Sequence, residues 1–153
     1  MERGISVRLG VSKILPLVAL TFLAHSTLAD VVVLVTDKDS PIRKISSLDI
    51  RKAYLGISVS IDGMPIRALG RRDDQRLNQI FLQSVMAMSE RSYERRQLSL
   101  MLKFATPRPQ QADDSEELLE LLARYPSSIA YMWISDAEND SRVRIISVLW
   151  KEQ

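Results

Sequence analysis

Val31-Val32-Val33-Leu34-Val35-Thr36 is an unbroken run of apolar and β-branched residues. A strand with one face in water alternates apolar and polar side chains. This run does not alternate, so it reads as a strand buried on both faces. Such a strand belongs in a sheet covered by helices, and the residues that follow provide them.

Asp37-Lys38-Asp39-Ser40-Pro41 is a loop. Ser46 with Asp49 three residues on is a capping-box pattern, which predicts a helix over 47–55 that buries Leu48, Ile50, Ala53 and Tyr54, with Gly56 as its C-terminal cap. Residues 57–65 read as irregular, with a turn at Asp62-Gly63. Ile66 to Leu69 is a second strand, ended by Gly70. Three helices are expected next. The first, over 75–87, carries Leu77, Ile80, Phe81, Val85 and Met88 at helical spacing behind an Asp73 or Asp74 cap. The second, over 90–104, is capped by Ser89 and turns Tyr93, Leu100, Met101 and Phe104 to one face, so Met86, Met88 and Met101 read as core packing. The third, over 115–124, starts at Asp114 and is stopped by Pro126. Thr106-Pro107-Arg108-Pro109 is a stiff connection between them. Ser128 to Ile134 reads as a strand, 136–141 as a polar turn, and Val143 to Leu149 as a closing strand. This order argues for an α/β layer fold.

Ahead of the first strand, residues 1–29 have the order of an export signal. Arg3, Arg8 and Lys13 precede an apolar stretch from Ile14 to Ala24, and Thr27-Leu28-Ala29 supplies small residues for cleavage. The apolar stretch is too short to span a bilayer. The expected cut follows Ala29, with one after Ser26 as the alternative, leaving 30–153 as a single domain. Of 153 residues in all, 21 are basic and 19 acidic; the signal holds three of the bases and Glu2, so the remainder has 18 of each and no net charge. The high pI of the whole chain therefore does not point to nucleic acid. Most of the remaining bases are arginine, a residue suited to forked recognition of oxyanions.

The chain has no cysteine, and its one histidine, His25, lies in the signal. Disulfides, thiolate zinc sites, cysteine nucleophiles, histidine-ligated metals and Ser-His-Asp catalysis are thereby excluded from the exported form. The acidic turns at 37–39 and 136–140 lack the glycine and distal glutamate of a calcium loop. No phosphate-gripping or dinucleotide glycine motif is present. No metal or cofactor is expected, and no enzymatic activity.

Several segments together carry a family resemblance. Leu48-Asp49-Ile50-Arg51-Lys52-Ala53-Tyr54-Leu55-Gly56 and then Asp62-Gly63-Met64-Pro65-Ile66 resemble consecutive segments of the phosphate-type periplasmic substrate-binding proteins. Arg71-Arg72-Asp73-Asp74 running into Leu77–Phe81 resembles that family's ligand loop. Thr106-Pro107-Arg108-Pro109, Ser115 to Leu122 and Pro126-Ser127-Ser128-Ile129-Ala130-Tyr131 resemble its later region. The resemblance implies the type II periplasmic-binding-protein fold, here as a single compact lobe with a mixed sheet flanked by helices. It also implies phosphate or another small oxyanion as ligand, and an inner-membrane transporter as partner. Arg71 stands where the family has its ligand arginine, whereas Gln75, Arg76 and Leu77 stand where it has Ser, Gly and Thr. Thr36, Ser40, Arg71, Arg72, Asp74 and Gln75 are the candidate ligand residues. The acids Asp73 and Asp74 bring negative charge to a helix start that would otherwise cradle an anion.

Two functions compete, ahead of a third, a small hydrolase working by carboxylates alone, which needs two acids converging in one pocket. One is a periplasmic solute-binding protein whose Arg71 and nearby hydroxyls converge on a cleft. The other is a non-transport interaction or sensor module of the envelope, which predicts a filled cleft and an exposed apolar patch.

Overall fold

The structure is a computed structural model that describes residues 30–153; the expected signal and both cleavage positions concern residues outside that range or at its border. Strand β1 (Val31–Asp37) leads to helix α1 (Ser47–Tyr54), then to a small hairpin of β2 (Ser60–Ile61) and β3 (Met64–Pro65). Strand β4 (Arg67–Arg71) precedes α2 (Gln75–Phe81), a π turn over Leu82–Met86, and α3 (Glu90–Phe104). Strand β5 (Gln110–Ala112), α4 (Ser115–Arg124), β6 (Ser128–Trp133), α5 (Ile134–Glu138) and β7 (Val143–Lys151) complete the order.

Five strands form one sheet in the order β5-β4-β6-β1-β7. β4 runs parallel to β5 and β6, while β1 is antiparallel to both β6 and β7. The sheet is therefore mixed, with β1 as its reversed strand. Val32, Val33, Leu34 and Val35 are all fully buried, because each face of β1 meets its own core. Val32 and Leu34 join Ile129, Tyr131, Tyr54, Leu77 and Phe81. Val33 and Val35 join Ala130, Met132, Leu118, Leu122 and Ala137 of α4 and α5. The two periodicities, two in the strands and near four in the helices, interlock on both sides of one sheet.

The local signals explain most boundaries. The Ser46 hydroxyl accepts the Asp49 N–H at 3.1 Å and starts α1. Ser89 and Asp114 do the same for α3 and α4. Gly56 has a φ of 79°, and a Cβ there would lie 2.2 Å from the Pro107 carbonyl oxygen.

Elsewhere the structure corrects the expectation. Within the stretch read as irregular, residues 60–65 form a hairpin, and Asp62 and Gly63, at φ 52° and 79°, make its expected turn in left-handed conformations. Gly70 does not end its strand. It sits inside β4, where an added Cβ would lie 2.6 Å from the Gln111 side chain of β5. The helix expected over 75–87 changes to a π turn after Phe81 and stops at Ala87 in a left-handed conformation. Residues 134–138 form α5 where the end of a strand at Ile134 and a turn from 136 were expected, and β7 runs on to Lys151. β5 is short and polar and carries no strand pattern. Leu48, Met101 and Phe104 are exposed, not packed. On α3 the buried positions are Gln97 and Leu100, because the Gln97 amide and the Tyr93 hydroxyl both donate to the Tyr54 carbonyl at the end of α1.

Candidate functional site

β4 and β6 are parallel neighbours, and the chain leaves their C-terminal ends towards opposite faces of the sheet. From β4 it enters α2, whose Leu77 and Phe81 belong to one core; from β6 it enters α5, whose Ala137 belongs to the other. Connections that diverge in this way mark the crevice position between two strand ends, the usual place for a ligand in such sheets. Arg71, the last residue of β4, lies at this crevice.

Arg71 is only 7% exposed and is surrounded by acids of its own chain. Its Nε lies 2.8 Å from Asp73 Oδ1, its Nη2 3.6 Å from Asp74 Oδ2 and its Nη1 3.8 Å from Asp136 Oδ2. Asp74 has further duties. Its Oδ1 accepts the Leu77 N–H and caps α2, and its Oδ2 accepts the Trp133 indole N–H at 2.7 Å. The Asn78 amide donates to the Arg71 carbonyl at 2.7 Å, and its oxygen accepts the Tyr131 hydroxyl at 2.9 Å. These bonds hold β4, α2 and β6 together at the crevice.

The neighbouring arginines are engaged elsewhere. Arg72 pairs with Asp113 at 2.9 Å, and Arg76 with Asp30 at 2.5 Å. The Arg76 guanidinium also sits 5.2 Å from the Trp133 ring. One buried cation thus faces three carboxylates, a local charge of minus two. Two like charges about 6 Å apart at an effective dielectric of about 20 repel by roughly 3 kcal/mol. An incoming dianion meets that cost more than once.

The candidate residues fall into two groups. Arg71 and Asp74 meet at the crevice, while Arg72 and Gln75 face outward beside it and line a hollow of about 270 Å³ with Asn78, Gln79, Leu82 and Glu90. Thr36 and Ser40 lie at the other end of the sheet. β1 runs against β6, so the end of β1 meets the start of β6, and the Thr36 hydroxyl donates to the Ser128 carbonyl at 2.8 Å. Ser128 pairs with Arg67, four residues and about 13 Å along β4 from Arg71. The Ser40 hydroxyl is buried and accepts the Ile42 N–H at 3.2 Å, as a turn residue does. The structure does not bring these two hydroxyls to Arg71.

Asp136, within the stretch read as a polar turn, and Trp133, within the strand read over 128–134, also reach this cluster. The alternation of Ile129, Tyr131 and Trp133 was the available signal for Trp133, since it carries one face of β6 to the crevice. Asp136 had none. Among the described residues no group of three acidic, histidine or cysteine side chains is arranged to hold a metal ion.

No protein-family model and no curated protein matches the chain. Solved structures do. A structure from Clostridium perfringens with bound phosphate, assigned to the phosphate ABC transporter substrate-binding proteins, aligns with 78% of this chain at 19% identity and a TM-score of 0.58. An ABC-type phosphate transport receptor from Vibrio cholerae aligns over 78% at 14% identity and TM-score 0.55, and PstS from Borrelia burgdorferi over 78% at 17% identity and TM-score 0.56. The chain spans less than half of each, covering 45%, 46% and 47% of their lengths. The α/β fold is that of one lobe of these periplasmic binding proteins, as the resemblance implied.

Proposed function

We propose that the chain is an exported envelope protein whose single lobe serves as an interaction or sensor module, with a membrane transporter or sensor protein as partner, and does not bind free phosphate at Arg71. Arg71 carries this reading. In the position of a ligand arginine it is already matched by Asp73, Asp74 and Asp136 of its own chain. Those carboxylates surround its guanidinium, and the two arginines that could offset them are paired with Asp113 and Asp30. The exposed Leu98, Leu102 and Phe104 on α3 add apolar surface of the kind that interaction proteins present. The export pattern of residues 1–29 and the periplasmic binding-protein fold support a periplasmic location and a binding role without catalysis.

Isothermal titration of the purified protein with inorganic phosphate, with sulfate as control, tests this. The expected result is no heat assignable to Arg71 at millimolar phosphate. One-to-one binding that disappears in a folded Arg71→Gln variant overturns the proposal in favour of a second reading, a receptor for phosphate or another small oxyanion. One observation favours that second reading: Arg71 Nε and Nη1 are buried with no aligned hydrogen-bond acceptor. Spare buried donors are what an oxyanion needs.

A further inference from the structure

The opposite end of the sheet has the reverse electrostatic character. A groove of about 580 Å³ runs past the N-terminal ends of β4, β5 and β6. That volume lies within the range of small-molecule sites, about 300–1,000 Å³. Arg67, Arg108 and Arg124 line it, and no carboxylate does. None of the three is in an ion pair among the described residues. Three guanidiniums around one concavity leave a set of forked donors without an anion.

The groove walls are held in place. Arg108 lies between Pro107 and Pro109, which restrict the backbone on both sides. The Pro107 carbonyl touches the backbone of Gly56, so the loop and the end of α1 form one wall. Arg67 stacks 3.8 Å above the Tyr125 ring, which fixes its plane and leaves its edge free to donate. Ile57, Ile66 and the prolines give the lining an apolar stretch beside the arginines, with Ser58, Gln110 and Ser127 as its neutral polar residues.

We infer that this groove binds a small organic phosphate, its dianionic head on Arg67, Arg108 and Arg124 and its apolar body along Ile57, Ile66 and Pro107. The head follows from the number of arginine forks, which exceeds what a single carboxylate with two oxygens uses. The body follows from the volume, which is far larger than a bare phosphate fills. This site is at the far end of the sheet from Arg71 and does not depend on how the crevice is read.

Phenyl phosphate is the probe, titrated calorimetrically into the purified protein beside phenol and inorganic phosphate. One-to-one binding is expected, weakened by added salt, and weaker for inorganic phosphate. In an Arg108→Ala/Arg124→Ala variant the dissociation constant rises about tenfold or more. Both side chains are exposed, so the fold is retained, and far-ultraviolet circular dichroism verifies it. Absence of heat at millimolar phenyl phosphate overturns the inference, as does unaltered affinity in the double arginine variant. Equal affinity for inorganic phosphate overturns the organic body.

Discussion

The Tyr54 hydroxyl crosses from α1 to the sheet and donates to the Leu69 carbonyl at 2.8 Å. Its ring meets Phe81 edge-on at 4.6 Å and Tyr131 at 5.5 Å, while Phe81 and Tyr131 stack at 3.8 Å. Burial holds the Tyr54 and Tyr131 phenols above the ordinary value of 10.0, and the neighbouring tyrosines push Tyr54 further the same way. Burial raises Tyr93 also. Below pH 10 these phenols are neutral in both folded and unfolded chains. Above it the unfolded chain loses their protons first, so stability falls as pH rises, by about 1.4 kcal/mol per pH unit for each such phenol. Urea titrations at rising pH therefore show a steepening loss of stability beyond pH 10. Phenolate absorbance of the buried rings appears with unfolding and not before. Tyr54→Phe makes the loss shallower, because one of the titrating groups is gone. An alkaline stability profile identical to wild type in that variant contradicts this account.

Element by element, what the sequence made legible depended on whether the signal was local. The ends of α1, α3 and α4 were readable because a serine or aspartate cap acts within three residues, as Ser46, Ser89 and Asp114 do here. β5 was not readable, because its three residues are a strand only through pairing with β4. The buried face of α3 was missed for the same reason: Gln97 is inside because the Tyr54 carbonyl needs donors there, a fact of tertiary packing. At the crevice, Arg71 and Asp74 were legible as an arginine next to a helix start. Asp136 was not, since 65 residues of chain separate it from Arg71 and only the parallel pairing of β4 with β6 brings α5 close. Asp74 shows how much one cap can hold. It starts α2, accepts the Trp133 indole and lies 3.6 Å from the Arg71 guanidinium. Asp74→Ala removes the cap and orphans a half-buried N–H, a loss of about 2 to 4 kcal/mol by urea unfolding. The same variant shifts the fluorescence of Trp133, which a cap that served α2 alone would leave in place.

At the scale of the whole molecule, β1 makes one cooperative unit of two cores. Val32 and Leu34 supply the core under α1 and α2, Val33 and Val35 the core under α4 and α5, and the backbone between them is shared. Neither core can lose β1 while the other keeps it. The charges are arranged by the same sheet. With no net charge over 30–153, the acids Asp73, Asp74 and Asp136 gather at one end and Arg67, Arg108 and Arg124 at the other. Both ends stay in register only while the strands between them are paired. Leu122 is fully buried in the α4 core, whereas the tryptophan at the crevice packs against the core on the other face of the sheet. Leu122→Ala leaves a cavity and costs about 2 to 5 kcal/mol. Because β1 couples the cores, that cost is taken from global stability. Unfolding followed by Trp133 and Trp150 fluorescence and unfolding followed by far-ultraviolet circular dichroism then move together to lower urea. Separation of the two transitions in this variant shows that the α4 side melts alone, and that β1 does not bind the halves into one unit.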